Sequence, residues 1–168
     1  MVPISRIETI SEGVIDFSRV KYVTPTLRDR QKYQLQSGDI LFSHINSPEH
    51  IGKTALFRSS KPLIHGINLL LLRVNQQVCH PEYLNFYLKS FAVRARFRTR
   101  CKKAVNQASL NQEVILSLDV PLPTLPDEKR IAGILENVER LRAQQREAER
   151  QAEHLFQTLL HRAFSSGL

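Results

Sequence analysis

Two rows of apolar positions run along the last part of the chain, from Pro126 to Phe164. Positions within each row lie seven residues apart, and the second row follows the first by three residues, which is the a/d pattern of a coiled-coil helix. After Pro126 the segment contains no proline, and its one glycine is Gly133. The two rows, called the seam below, consist of Ile131, Ile134, Val138, Leu141, Gln145, Ala148, Ala152, Leu155 and Leu159.

A helix of this length extends on the order of 58 Å at about 1.5 Å per residue, which is longer than the diameter of a small domain. We therefore predict that the seam packs against another helix, from a second copy or from a different protein. Gln145 takes a central a position, where a polar side chain sets the register of a coiled coil at some cost in stability. The alternative is a solvated terminal helix with one end folded back on the preceding domain.

Short apolar runs separated by turn residues fill the chain before this helix. Their β-branched and aromatic content predicts strands. Residues 40–43 and 54–57 are expected to form a hairpin with a polar, proline-broken loop between them. The strands are predicted at residues 14–17, 21–23, 40–43, 54–57, 63–74 as one long or two short strands kinked at Gly66, and 114–120.

Helices are predicted at two places among these strands. Thr26 is expected to cap a short helix, and Pro81 is expected at the first position of a second helix, where its missing N–H costs nothing. The second helix runs toward Arg100, with or without a break near Ser90. Its inward-facing residues are expected to include Tyr83, Leu84, Tyr87, Leu88, Phe91 and Phe97.

The pattern as a whole predicts an α+β protein in two parts. A small mixed domain of short strands and one or two helices is expected over residues 1–120. Three prolines make residues 121–126 a stiff, extended linker. The long coiled-coil helix is predicted over residues 127–164, followed by a tail at 165–168.

Composition agrees with one ordinary domain plus a helix, since the chain has 168 residues, of which 42% are hydrophobic and 24% charged. The longest apolar run, residues 67–72, is broken by Asn68 and is too short to span a membrane. The first residues show no secretory signal pattern. Cys79 and Cys101 form no CxxC motif, so we expect reduced thiols in a cytoplasmic protein.

Positive charge is concentrated outside the long helix. Seven basic residues balance seven acidic ones between Pro126 and Phe164, whereas the whole chain has a formal net charge of +8. Residues 89–103 hold seven basic residues and no acidic one, which predicts a phosphate-binding surface; the alternative is a basic helix that only aids solubility. The residues expected to contact phosphates are Arg94, Arg96, Arg98, Arg100, Lys102 and Lys103.

Two polar segments are candidates for reading bases, because amide and hydroxyl side chains can bond to base edges. The first is residues 43–53, called the reading loop below, where Gly52 and Lys53 can approach a phosphate closely. The second is a predicted polar loop at residues 106–111. The nucleic-acid-binding residues expected in these segments are Ser43, His44, Asn46, Lys53, Asn106, Gln107, Ser109 and Asn111.

No catalytic pattern accompanies these segments. The chain has no G-x-S-x-G elbow, P-loop, dinucleotide-binding glycine set or H-E-x-x-H pair. His44 and His50 lack the spacing of recognised metal ligands, and no cysteine lies near them in the sequence. We therefore expect no catalytic residue, no metal site and no cofactor.

Several short segments occur in a characteristic order along the chain. They are GDILFS at 38–43, IGK at 51–53, HPEYLNFYL at 80–88, NQASLN at 106–111, VPLP at 120–123 and EKRIA at 128–132. In this order they resemble the specificity subunit of type I restriction–modification enzymes. The resemblance covers residues 3–164, and its most specific part is the proline linker that opens the long helix.

The resemblance implies a target recognition domain that reads one half of a split DNA sequence, followed by a helix that acts as a spacer and docks methyltransferase subunits. It implies a non-catalytic subunit that directs a type I methyltransferase and endonuclease complex. The chain departs from the family in three ways. It is expected to lack the family's opening segment and to hold one recognition domain and one long helix where the family has two, and it carries Asp127-Glu128 where a Glu-Gln pair is usual. These departures indicate a half-length or truncated form.

The expected partners are double-stranded DNA, methyltransferase subunits, a restriction subunit and a second copy of the chain. Since a complete specificity subunit holds two readers, we expect the long helix to pair antiparallel with that second copy, and the target to be a split palindrome. One alternative is a fragment that acts mainly as an interaction or scaffold protein through its coiled coil. Another is an autonomous endonuclease or an RNA-binding regulator.

Overall fold

A computed structural model describes residues 1–104 and 107–165. The chain divides into two compact units, Met1–Lys129 and Arg130–Leu168. Short strands and short helices make up the first unit, and the described part of the second unit is helical. The predicted α+β class with a long C-terminal helix is confirmed.

The central sheet of the first unit is built around strand β3 (Ile40–Phe42), which is buried at every residue. β3 is flanked by two antiparallel strands, β5 (Thr54–Leu56) and β6 (Leu70–Leu72). Because side chains alternate along a strand, Ile40 and Phe42 enter one core cluster and Leu41 enters another. The predicted hairpin of residues 40–43 and 54–57 is confirmed.

Two helices, α2 (Pro81–Lys89) and α3 (Phe91–Arg100), contribute to the first core cluster. Pro81 opens α2 as predicted. Phe97 is fully buried, and its ring meets that of Phe42 edge-on with centroids 5.3 Å apart. Phe91 is 84% exposed, so the prediction that it points inward is wrong. The helix restarts at Ser90, whose hydroxyl caps α3, and the apolar face of α2 therefore does not continue to residue 91.

A second three-stranded sheet joins distant parts of the chain. Its antiparallel order is β4 (Ile45–Asn46), β8 (Gln107–Ser109) and β7 (Lys102–Ala104). The prediction of a loop over residues 106–111 is wrong for Gln107–Ser109. These residues are mostly polar, and they form a strand between the neighbouring β7 and the distant β4, which lies more than fifty positions away in the sequence.

The predicted strand at residues 114–120 is also wrong. Residues Gln112–Leu116 form the short helix α4. The Asn111 side-chain oxygen accepts the N–H of Glu113 at 3.4 Å and so caps the first turn. An asparagine cap followed by an acidic residue in the first turn favours helix over the strand propensity of the apolar residues.

The N-terminal region contains a two-stranded sheet, β1 (Val2–Ile4) and β2 (Lys21–Val23), and two 3-10 turns at Ile7–Ile10 and Phe17–Arg19. The predicted strand at residues 14–17 is wrong, because the Asp16 carboxylate caps the second turn by accepting the N–H of Ser18 at 2.9 Å.

The short helix predicted after Thr26 is confirmed as α1 (Leu27–Tyr33), and the Thr26 hydroxyl accepts the N–H of Asp29 at 3.1 Å. Of the predicted strand at residues 63–74, only β6 forms a strand. At Gly66 a Cβ would lie 2.0 Å from the carbonyl oxygen of Ser5, so the close approach of these two segments requires glycine.

The long helix α5 (Leu125–Ser165) begins inside the predicted linker. The Thr124 hydroxyl accepts the N–H of Asp127 at 3.4 Å and donates to its carboxylate at 2.7 Å, and a proline is tolerated in a first helical turn. Glu128, in this first turn, is fully buried and accepts the N–H of His80 at 2.6 Å. Among the described helices, none is long and apolar enough to cross a membrane.

Candidate nucleic-acid interface

The arginines of α3 donate their hydrogen bonds to backbone carbonyls. Arg94 and Arg98 both donate to the carbonyl oxygen of Glu49, at 3.0 and 3.4 Å. Arg96 donates to the carbonyl oxygen of Ser117 at 3.4 Å. The predicted arginines therefore lie on two sides of the helix, as their two-residue spacing requires.

A carbonyl oxygen orients a guanidinium group without cancelling its charge. Burial, followed by the charge of Arg98, lowers the pKa of Arg94 from its usual value. Hydrogen bonds from its own backbone N–H and from the Ser47 hydroxyl lower the pKa of the Glu49 carboxyl. The positive charge of Arg98 makes a smaller contribution in the same direction. Other arginines form carboxylate ion pairs: Arg6 with Glu8, Arg19 with Asp16, Arg58 with Glu82, Arg73 with Asp39 and Arg150 with Glu147.

The remaining predicted phosphate contacts follow α3 in the chain. Arg100 and Lys102 are exposed at the end of the helix and the start of β7. The side chain of Lys103 lies outside the described residues. Positive charge thus extends from α3 into the hairpin of the second sheet.

The two predicted reading segments are neighbours in one sheet. Asn46 of the reading loop pairs with Ala108 across the β4–β8 ladder, and Ile45 pairs with Ser109. The carbonyl oxygen of His44 accepts the N–H of Leu110 at 2.8 Å. Residues that lie more than sixty positions apart in the sequence therefore come together.

Within the reading loop, Ser43 and Asn46 form a connected pair. Ser43 is fully buried, and its hydroxyl accepts a bond from the Asn46 side-chain nitrogen at 3.0 Å. The Asn46 side-chain oxygen accepts the N–H of Ser47 at 2.8 Å. Ser43 therefore orients the half-buried amide of Asn46 and has no exposed surface of its own for a base.

His44 presents a half-buried, neutral ring. Burial, followed by the nearby His65, lowers its pKa from the usual value. Its Nδ1 atom has no hydrogen-bond partner among the described residues. A neutral imidazole carries one donor and one acceptor, which suits it to a base edge better than to a phosphate.

Three of the other predicted contacts have defined surroundings. The Lys53 ammonium donates to the carbonyl oxygen of Ser11. Ser109 is half-buried in β8. Both polar atoms of the Asn111 side chain bond to Glu113, so this residue caps α4. Asn106 and the side chain of Gln107 lie outside the described residues.

The histidines and cysteines show no metal-binding arrangement: the described residues contain no group of three or more potential metal ligands. Cys79 is buried, and burial together with Glu128 raises the pKa of its thiol to about 11. This thiol stays protonated at neutral pH.

The contributions of Glu49 and Ser117 to the candidate interface were not predicted from the sequence. Their carbonyl oxygens accept hydrogen bonds from Arg94, Arg96 and Arg98. Because every residue has a backbone carbonyl, the residue type at positions 49 and 117 does not predict these bonds. The β4–β8 pairing was also missed, because β4 is only two residues long.

The described part of the second unit carries an exposed apolar seam. Ile134 and Leu141 are each 57% exposed, and Leu155 and Leu159 are 58% and 54% exposed. On a helix these residues share one side. Exposed apolar stripes of this kind commonly mark interaction surfaces.

The sequence profile of the family described as "Type I restriction modification DNA specificity domain" matches residues 1–152. The chain is 49% identical over 142 residues to the "Putative type I restriction enzyme MjaX specificity subunit" of Methanocaldococcus jannaschii, covering 83% of this chain and 33% of the relative. It is 24% identical over 173 residues to the EcoKI specificity subunit of Escherichia coli, covering 99% and 37%. The chain thus spans about a third of the length of these curated relatives.

Solved structures agree with this similarity at the level of the fold. The HsdS subunit from Thermoanaerobacter tengcongensis matches with a TM-score of 0.62 and 20% identity, over 95% of this chain and 42% of that one. A chain from a structure described as the "Structural basis underlying complex assembly and conformational transition of the type I R-M system" matches with a TM-score of 0.67 and 20% identity, over 97% and 38%.

Proposed function

The chain belongs to the family of type I restriction–modification DNA specificity domains, and on this basis we propose that it recognises a DNA sequence for a type I modification and restriction complex. In this role it binds DNA and leaves catalysis to separate methyltransferase and restriction subunits. The observation that carries the proposal is the family match together with α3, in which Arg94, Arg96 and Arg98 donate to backbone carbonyls that orient the guanidinium groups without neutralising them.

Phosphate contacts are assigned to the basic end of α3 and to β7. If all six predicted side chains neutralise a phosphate, the slope of log affinity against log salt is about −5, from a contribution of about −0.9 per contact. The six are Arg94, Arg96, Arg98, Arg100, Lys102 and Lys103. Such contacts position the protein without selecting a sequence.

Base readout is assigned to the reading loop and the adjoining hairpin of the second sheet. Asn46 offers an amide that Ser43 orients, and His44 offers a neutral ring. The β4–β8 pairing supports a single reading surface that includes Asn46 and Ser109, and base contacts by Asn106 and Gln107 are proposed from the sequence alone. Lys53 belongs to the phosphate contacts beside the loop, and Asn111 contributes by fixing the start of α4.

Selection from a random duplex library tests this function. Purified protein is incubated with 40-bp duplexes carrying a random central region, and the bound fraction is amplified and sequenced over several rounds. Enrichment of a defined motif supports sequence recognition. Binding with salt dependence but without any enriched motif would contradict it, and absence of binding would favour the scaffold alternative.

A second copy of the chain is the partner proposed for the seam. Antiparallel coiled coils place a against d positions, and one register sets Gln145 opposite the second copy's Ala148. In this register Ile134 meets Leu159 and Val138 meets Leu155, while Leu141 meets Ala152 and Ile131 falls level with Arg162. The small alanines lie near the centre beside Gln145.

The flanking e positions favour the same register. Arg142 then lies beside the second copy's Glu149, and Leu135 lies beside the second copy's Phe156. A shift by one heptad in either direction would bring Arg142 against Arg142 or Glu149 against Glu149. Two inverted copies of the same reader predict a split palindromic target. Methyltransferase subunits are proposed to bind the assembled pair.

A further inference from the structure

The turn at residues 66–69, just before β6, is held by hydrogen bonds at both ends. The N–H of Gly66 donates to the Ser5 hydroxyl at 3.0 Å, and the N–H of His65 donates to the carbonyl oxygen of Tyr33 at 2.8 Å. Across the turn, the N–H of Leu69 donates to the carbonyl oxygen of Gly66 at 3.1 Å. The Nε2 atom of His65 lies 2.7 Å from the carbonyl oxygen of Leu69, which can only accept, so this nitrogen is the donor.

The two central residues of this turn face solvent. Ile67 is 90% exposed. Asn68 is exposed, and its side-chain amide forms no hydrogen bond within the described part of the chain. A single exposed isoleucine is common on protein surfaces, so its meaning depends on where it lies.

The turn lies at the same end of the central sheet as the reading loop. In the antiparallel pair of β3 and β6, Phe42 at the end of β3 lies opposite Leu70 at the start of β6. The reading loop begins directly after Phe42, and the turn ends directly before Leu70. The rings of His44 and His65 are also close, since His65 adds to the effect of burial in lowering the pKa of His44. The turn and the reading loop therefore belong to one surface.

The chemistry of the turn fits base edges better than phosphates. Its four residues carry no charge, and no acidic residue occurs over the whole of residues 50–81. A phosphate contact needs a cation or a free donor array, whereas an apolar side chain suits the methyl group of thymine. An asparagine amide can both donate to N7 and accept from N6 of adenine in the major groove.

We propose that the turn at residues 66–69 is a third base-reading element, in which Ile67 contacts a thymine methyl group and Asn68 bonds to the edge of an adenine. This inference rests on the proposed function, since the bases belong to the DNA being recognised. The turn contacts base pairs next to those read by His44 and Asn46. Because hydrogen bonds already hold both of its ends, little conformational freedom is lost when the tip binds.

Base analogues placed in the duplex selected from the random library test each contact separately. Deoxyuridine in place of thymine removes one methyl group and should weaken wild-type binding about fourfold at one position of the motif. Replacing adenine by 7-deazaadenine removes the N7 acceptor and should weaken wild-type binding about five- to tenfold at one position. Ile67→Ala should bind the deoxyuridine duplex and the unmodified duplex equally well, and Asn68→Ala should be equally insensitive to 7-deazaadenine.

Gln77→Ala and Val78→Ala are the matched controls, because both residues are exposed and follow β6 at the other end of the sheet. Their segment lies beside Gly38, just before β3 begins, since the Gln76 side-chain nitrogen is 2.9 Å from where a Cβ on Gly38 would be. Both controls should respond to the two analogues as the wild-type protein does. Because all four substituted side chains are exposed, each variant should keep the wild-type urea midpoint of unfolding.

The outcomes separate failure of this element from failure of the proposed function. If the wild-type protein selects a motif, but Ile67→Ala and Asn68→Ala respond to both analogues as it does, the turn reads no base and the proposed function stands. The same analogue responses combined with weaker binding of a methyltransferase subunit would assign the tip to a protein contact and overturn the inference. A wild-type protein that enriches no motif would overturn both.

Discussion

Charge-reversing substitutions at Arg142 and Glu149 test both the orientation and the register of the proposed helix pair. Arg142→Glu replaces an Arg–Glu contact by a Glu–Glu contact, and two-fold symmetry makes this change twice in each dimer. An exposed ion pair contributes about 0.2–1 kcal/mol, and a like-charge contact costs a similar amount. The variant should therefore weaken the dimer by about 1–4 kcal/mol, or roughly one to three orders of magnitude in the dissociation constant.

Sedimentation equilibrium of the full chain at low salt measures this change, with circular dichroism to verify that the helix remains formed. Glu149→Arg alone should weaken the dimer to a similar extent, and the double variant Arg142→Glu/Glu149→Arg should restore it. Arg140→Glu, on the outer side of the helix, is the control and should have little effect. Failure of the double variant to recover would refute the register. A wild-type monomer at tens of micromolar would refute self-pairing and leave the seam for a methyltransferase subunit.

Four further outcomes follow from the first unit. Arg98→Gln should lower the magnitude of the salt slope by about 0.9 without altering the motif obtained by selection. Asn46→Ala should weaken binding to a selected duplex by about 1–3 kcal/mol in anisotropy titrations and leave the salt slope unchanged. Phe97→Ala should reduce the free energy of unfolding in urea by about 3–5 kcal/mol, because the ring is fully buried against Phe42. Since the pKa of Cys79 is raised to about 11, iodoacetamide at pH 8 should alkylate it about a hundredfold more slowly in the folded protein than in urea.

The features predicted well were those determined by local or strictly periodic patterns. Seven-residue spacing predicted the long helix, and an apolar run bounded by a turn predicted β3. The errors occurred where a partner distant in the sequence, or a single capping side chain, decides the conformation. Gln107–Ser109 is a strand because it pairs with both β4 and β7, and Gln112–Leu116 is a helix because Asn111 caps it.

The candidate site divides in the same way. A run of seven basic residues without an acidic one was visible in the sequence and predicted a phosphate surface. The arginines of α3 lie on two sides of the helix, where they donate to the backbone carbonyl oxygens of Glu49 and Ser117. The residue types at these two positions do not predict such bonds. Ser43 is buried because of the packing around β3. From the sequence alone, its role in orienting Asn46 could not be distinguished from a direct contact with a base.

The bond between Glu128 and the N–H of His80 has a practical consequence for building chimeras. The proline segment at 121–126 looks like the natural place to exchange one recognition domain for another. Yet the first turn of α5 belongs to the first unit. The buried carboxylate of Glu128 in this turn accepts the N–H of His80, the residue that precedes α2. A junction within the prolines would combine His80 from one parent with residue 128 from another, whereas a junction after Lys129 transfers both together. Recognition domains are therefore best exchanged at a junction inside α5, about one helical turn after Pro126.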